Sequence, residues 1–223
     1  MDKDQRPGQE RGRRPALLVL DLINEIVHPE GKYAADGYYA QARDRGVIEH
    51  TAEAIARARA ADIPVIYVVV GFGEGYPEWP SGSPVFEKAK ADQRLLLGTW
   101  ATRVHDALAP APGEPVVAKH RISPFHGTNL ELLLRTQEID TLLLTGVSTE
   151  LVVLTTAQAA HDRDYRVQVL EDATLAGDQE IHEAALKVLS RIATVTTVED
   201  ALPARGSAAA AAPAAADTAD AAA

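Results

Sequence analysis

Asp21 stands at the end of the apolar run ALLVL (16–20), and Lys119 ends the apolar run PVVA (115–118). A charge in apolar surroundings is costly unless it is paired or neutralised. If the two met in one cleft, each would shift the other's pKa, as the tuning of a general acid or base requires. Taken singly, Asp21 also suits a helix cap or a structural salt bridge. Lys119 also suits an amphipathic side chain that reaches to solvent. A third feature is Thr145-Gly146-Val147-Ser148-Thr149-Glu150, which reads as a strand turning into a helix. Amides at such a turn could hold an oxyanion. Ser148 or Thr149 could attack an amide or ester, or could be the N-cap alone. As a nucleophile, either would need a proton acceptor within reach, and Asp21 is the obvious one.

The chain contains no cysteine. Disulfides, thiolate metal sites and cysteine nucleophiles are therefore excluded together. No GxSxG elbow is present. His28 and His126 lack partners at metal-ligand spacing, so neither a metal nor another cofactor is expected. His161 and His182 fall on helix surfaces by periodicity and invite no role.

Strand and helix patterns alternate between these features. Strands are expected at 16–20, 64–70, 115–118, 141–144, 166–170 and 193–197, as unbroken apolar or β-branched runs. Such runs suit strands buried on both faces of a parallel sheet. Helical periods fill 47–60, 101–108, 129–137, 149–163 and 179–190. The pattern predicts an α/β fold, a doubly wound three-layer sandwich with a mainly parallel sheet of about six strands. Ligands of such sheets bind beyond the carboxyl ends of the strands, where Asp21, Lys119 and the 145–153 turn lie.

One domain is expected over 15–203. Residues 1–14 read as a disordered basic arm, and 204–223 as a disordered alanine-rich tail. The 223-residue chain carries a net charge of −10, which argues against phosphate-driven nucleic-acid binding. No apolar run approaches membrane-span length, and the first residues lack a signal-peptide h-region, so a cytoplasmic location is expected.

The segments ALLVLDLINE (16–25), PVVAKHRISPFHGTNLELLL (115–134), LLLTGVSTELVVLTTAQAAHDRDYRV (142–167) and VLEDA (169–173) resemble the isochorismatase-like hydrolase superfamily, the cysteine hydrolases, over about residues 15–202. In that family an aspartate, a lysine and a cysteine usually form a catalytic triad. The resemblance matches Asp21 to the aspartate and Lys119 to the lysine. The family pattern T-G-V-x-T-[DN]-x-C-V, laid on Thr145–Val153, puts the cysteine at Val152. A valine cannot attack a carbonyl, so the family's thioester route is closed.

Isochorismatases in this family also lack that cysteine and use the aspartate as an acid on an enol ether. The resemblance therefore implies a hydrolase acting on a small molecule without a thiol, with Asp21 as general acid/base and Lys119 as partner. It further implies a cis peptide at Val147-Ser148, pocket-facing amides near Ser148 and Val152, and a homo-oligomer, dimer or tetramer. Isochorismate itself fits poorly. The segment 71–83, expected to overhang the pocket, holds Glu74 and Glu78 and no Lys or Arg, and isochorismatases tend to have tyrosine in place of Ser148. A neutral or cationic, partly aromatic substrate is expected, in a pocket with Asn24, Phe72, Trp79, Phe125 and Thr149. The same aromatics would serve equally in core or dimer packing. The alternatives are a non-catalytic small-molecule-binding or assembly subunit, and an amide or ester hydrolase using Ser148 or Thr149.

Overall fold

The computed structural model describes residues 13–204. The arm and tail expected at the two ends lie almost wholly outside the described residues. Arg14, assigned to the arm by composition, is held by the fold. Its carbonyl accepts from the Asp140 amide at 3.0 Å, and its own amide donates to the Asp140 carboxylate.

Six strands form one sheet: β1 (Pro15–Leu20), β2 (Val65–Val70), β3 (Val116–Lys119), β4 (Thr141–Val147), β5 (Arg166–Leu175) and β6 (Thr194–Thr196). All pairings are parallel, in the order β3-β2-β1-β4-β5-β6. β3 is therefore an edge strand, paired on one side only. The helices are α1 (Asn24–Val27), α2 (Tyr38–Asp44), α3 (Val47–Ala60), α4 (Glu87–Ala91), α5 (Leu130–Thr136), α6 (Leu154–His161), α7 (Gln179–Leu189) and α8 (Val198–Ala201).

Burial on both faces follows from the alternation along β1. Leu18 and Leu20 join a core with residues of α5, α6 and α7. Leu17 and Val19 join a second core with residues of α2, α3 and α8. Each fully buried leucine contributes about 1.5–3 kcal/mol. A third cluster, with Val70, Phe72, Tyr76, Phe86 and Leu95, caps the carboxyl end of β2.

The helix expected over 101–108 is instead two 3-10 turns, Trp100–Thr102 and Asp106–Leu108. Tertiary pairing takes the chain between them. Val104 bridges Ile23, the Asn24 amide donates to the Arg103 carbonyl, and the His105 amide donates to the Leu22 carbonyl. The helix expected from 149 begins as a π-helical turn, Thr149–Val153, before α6. No helix of the described residues is long and apolar enough to cross a membrane.

Candidate active site

The strand order reverses between β1 and β4, and open α/β sheets bind ligands at that switch point. Asp21 leaves the end of β1 with a left-handed backbone, φ 53°. Its amide donates to the Val68 carbonyl, which ties the turn to β2. Lys119 is the last residue of β3 and pairs in register with Val70. The two side chains meet across the end of β2, with Asp21 Oδ2 2.7 Å from Lys119 Nζ. Both are 1% exposed. Burial raises the Asp21 pKa above the usual carboxylate range, against the opposing pull of the Lys119 charge and a hydrogen bond from the Val70 backbone. Lys119 also donates to the Arg121 carbonyl at 3.1 Å. Among the described residues Asp21 Oδ1 has no hydrogen-bond partner.

The pair lies on the wall of a cavity of about 70 Å³. Val147, Ser148, Leu151 and Val152 bring β4 and the π-helical turn to the same cavity. The Val147–Ser148 peptide is cis. Gly146, with φ 125°, lets β4 approach β1 here, because a Cβ would strike the Leu20 carbonyl. The remaining wall is hydrocarbon and aromatic, from Ile26, Tyr33, Tyr38, Val85, Phe86 and Ile122. Val152, the position matched to the family's cysteine, is 9% exposed and presents only methyl groups. The Tyr38 phenol is pushed up to about 12 by burial, then by the nearby Glu150 and Asp36 charges, so it stays a neutral hydroxyl.

Several residues expected at the pocket stand elsewhere. Phe72 packs edge-on against Phe86, one layer behind the wall. Trp79 donates its indole N–H to the Phe86 carbonyl at 2.7 Å. Residues 71–83 thus brace the overhang, and 85–86 supply it. Asn24 donates to the Trp100 carbonyl and holds α1 in place. Phe125 lies in the core beside Tyr165, under the Arg163 guanidinium. The amide of Val152 donates to the Ser148 carbonyl at 2.9 Å, closing the turn rather than facing the cavity. Large side chains beyond a strand end satisfy their own packing and hydrogen bonding, so adjacency in sequence does not bring them to the cavity wall.

Thr149 is also off the wall, and its partner was missed by periodicity. Its hydroxyl lies 2.9 Å from His182 Nδ1, with Thr149 fully buried and His182 1% exposed. His182 Nε2 has no partner among the described residues. Burial, then the nearby Arg45 charge, lowers the His182 pKa to about 4, so the ring is neutral at pH 7. Thr149 therefore has a potential base beside it but no contact with the cavity. The spacing of Ala185 and Leu189, three and seven residues on, was the available sign that His182 faces inward. Among the described residues no group of three His, Cys, Asp or Glu could hold a metal ion.

Comparison with known proteins bears on the same region. The isochorismatase domain family profile matches residues 15–200. A ureidoacrylate amidohydrolase RutB from Methylorubrum extorquens is 38% identical over 184 residues, 77% of this chain and 74% of that protein. An isochorismatase family protein from Desulfovibrio vulgaris subsp. vulgaris Hildenborough superposes with a TM-score of 0.75 at 26% identity, over 85% of this chain and 96% of that one. N-carbamoylsarcosine amidase from Thermoplasma acidophilum gives a TM-score of 0.65 at 29% identity, over 83% and 97%.

Proposed function

This chain belongs to the isochorismatase family of hydrolases, and from that premise we propose that it hydrolyses a small molecule without a thiol, with Asp21 as the acid/base and Lys119 as its partner. The observation that carries the reading is the 2.7 Å buried contact between Asp21 and Lys119 on a cavity wall. An unused buried ion pair has little stabilising value, whereas a proton donor needs this setting.

The reaction that asks for the fewest groups is cleavage of an enol ether C–O bond. In its protonated form, which burial favours, Asp21 gives its proton to the enol carbon. The resulting carboxylate is held by the Lys119 ammonium. Water adds to the oxocarbenium carbon and returns a proton to Asp21. The hemiketal then breaks to a carbonyl compound and an alcohol. No covalent intermediate is needed, so a valine at position 152 is no obstacle.

The test is a mass-spectrometric panel of uncharged enol ethers, isochorismate, and primary and cyclic amides, with wild type beside Asp21→Asn. The expected result is enol ether turnover that falls by about 10²–10⁴ in the variant, the usual worth of a general acid. Asp21-dependent turnover of an amide would mean that water has replaced the thiol in acyl chemistry, and would overturn this mechanism. No turnover would favour a descendant that only binds its ligand, the second reading, which the methyl groups of Val152 on the wall support.

A further inference from the structure

The cavity wall carries five polar side chains, Asp21, Lys119, Ser148, Tyr33 and Tyr38, and no arginine. Its single ammonium is committed to Asp21 Oδ2 and to the Arg121 carbonyl. The neighbouring arginines, Arg121 and Arg94, are not on the wall. Arg121 donates through Nη1 to the carbonyls of Glu78 and His120. Arg94 pairs with Asp92 and lies over the Tyr33 ring, 4.7 Å from its centroid. Beside Tyr38 the flank is acidic, and Glu150 Oε2 is buried there without a partner among the described residues.

A carboxylate that entered would lose its water, meet only an ammonium whose charge is already paired with Asp21, and face that acidic flank. An ammonium would lose its water to hydrocarbon and meet the Lys119 charge on the wall itself, whereas Glu150 is not on the wall. Size limits the occupant further. At about 70 Å³ the cavity is less than half of the roughly 150 Å³ that holds benzene in an engineered protein core.

We infer that this cavity takes a short uncharged aliphatic molecule ending in one carbonyl or ether oxygen, and that it discriminates against carboxylates, ammonium ions and aromatic rings. The oxygen sits at the Lys119 and Ser148 end, and the hydrocarbon lies against Val85, Leu151 and Val152. The inference rests on the reading of this cavity as the site. It narrows the expectation of a neutral or cationic, partly aromatic substrate to the neutral, non-aromatic part.

The experiment is methyl-resolved NMR of the full chain at pH 7, titrated with propionamide, propionate, propylammonium and benzamide. Propionamide is expected to bind at least ten-fold more tightly than the other three. The methyl signals that move should be those of Val85, Leu151 and Val152. Val152→Phe, which fills the cavity, should abolish the binding. Equal or reversed selectivity, shifts confined to methyls off the cavity wall, or no binding of propionamide overturns the inference, whether or not Val152→Phe folds. Binding is read here without turnover, so this selectivity can hold while enol ether cleavage fails. Asp21-dependent turnover of a carboxylate would sink the selectivity and leave the acid/base role standing.

Discussion

Asp21–Lys119 and Thr149–His182 are both polar pairs buried to 1% exposure or less, but only the first touches the cavity. The first joins two ionisable groups at 2.7 Å, and the second joins a hydroxyl to a ring nitrogen at 2.9 Å. Each leaves one buried atom without a partner among the described residues, Asp21 Oδ1 and His182 Nε2. A molecule in the cavity can supply the partner that Asp21 lacks. His182 lies off the wall, behind the π-helical turn. Burial alone therefore does not mark a reactive group: both pairs are desolvated, and only one of them is open to a ligand.

The largest effect should come from breaking the charged pair. Lys119→Met leaves Asp21 buried alone and should cost about 3–5 kcal/mol of unfolding free energy at pH 7 in urea titrations. Because the Asp21 pKa is raised in the folded state, that loss should grow as pH rises and shrink as Asp21 takes up a proton. The double variant Asp21→Leu/Lys119→Met should recover much of it. Equal losses in the single and double variants would show that the pair is not desolvated.

The His182 pair predicts the next effect. Its pKa falls from 6.5 to about 4 on folding. The unfolded chain therefore binds a proton that the folded one refuses, and the associated stability is present above pH 6.5 and lost as pH falls towards 4. The loss is about 3 kcal/mol, and His182→Gln should flatten the profile over that window. Thr149→Val should cost about 1–2 kcal/mol by leaving Nδ1 unpaired, with Thr149→Ser close to wild type. The smallest change in stability gives the sharpest contrast between the two regions. Val152→Cys should stay within about 1 kcal/mol of wild type and be alkylated by iodoacetamide in the native protein. Thr149→Cys should resist alkylation until the protein unfolds.

The inner strands β1, β2 and β4 were legible because they contain unbroken apolar runs, and α3 occupies the 47–60 stretch read from its period. Asp21 and Lys119 were legible as charges at strand ends. The cavity wall was not, because it is built from side chains such as Tyr33, Tyr38 and Val85 that arrive from separate loops and short helices. Their sequence context is that of ordinary surface turns. His182 was misplaced because a polar residue on a helix is assigned outward unless its buried partner is known. The segment 101–108 shows the other limit, since hydrogen bonds to Leu22 and Asn24 outweigh its local helical period.

Lys119 ends the four-residue edge strand β3, in which Val116 is 50% exposed. Edge strands are among the first elements to open in subglobal fluctuations, at free energies below that of global unfolding. A brief release of this strand would draw the ammonium away from Asp21 while the central strands stay paired. The protonation state of the dyad is thus coupled to the fraying equilibrium of a peripheral strand. Amide hydrogen exchange at Val117 and Lys119, the β3 residues that face β2, becomes a readout of how often the charge pair is intact.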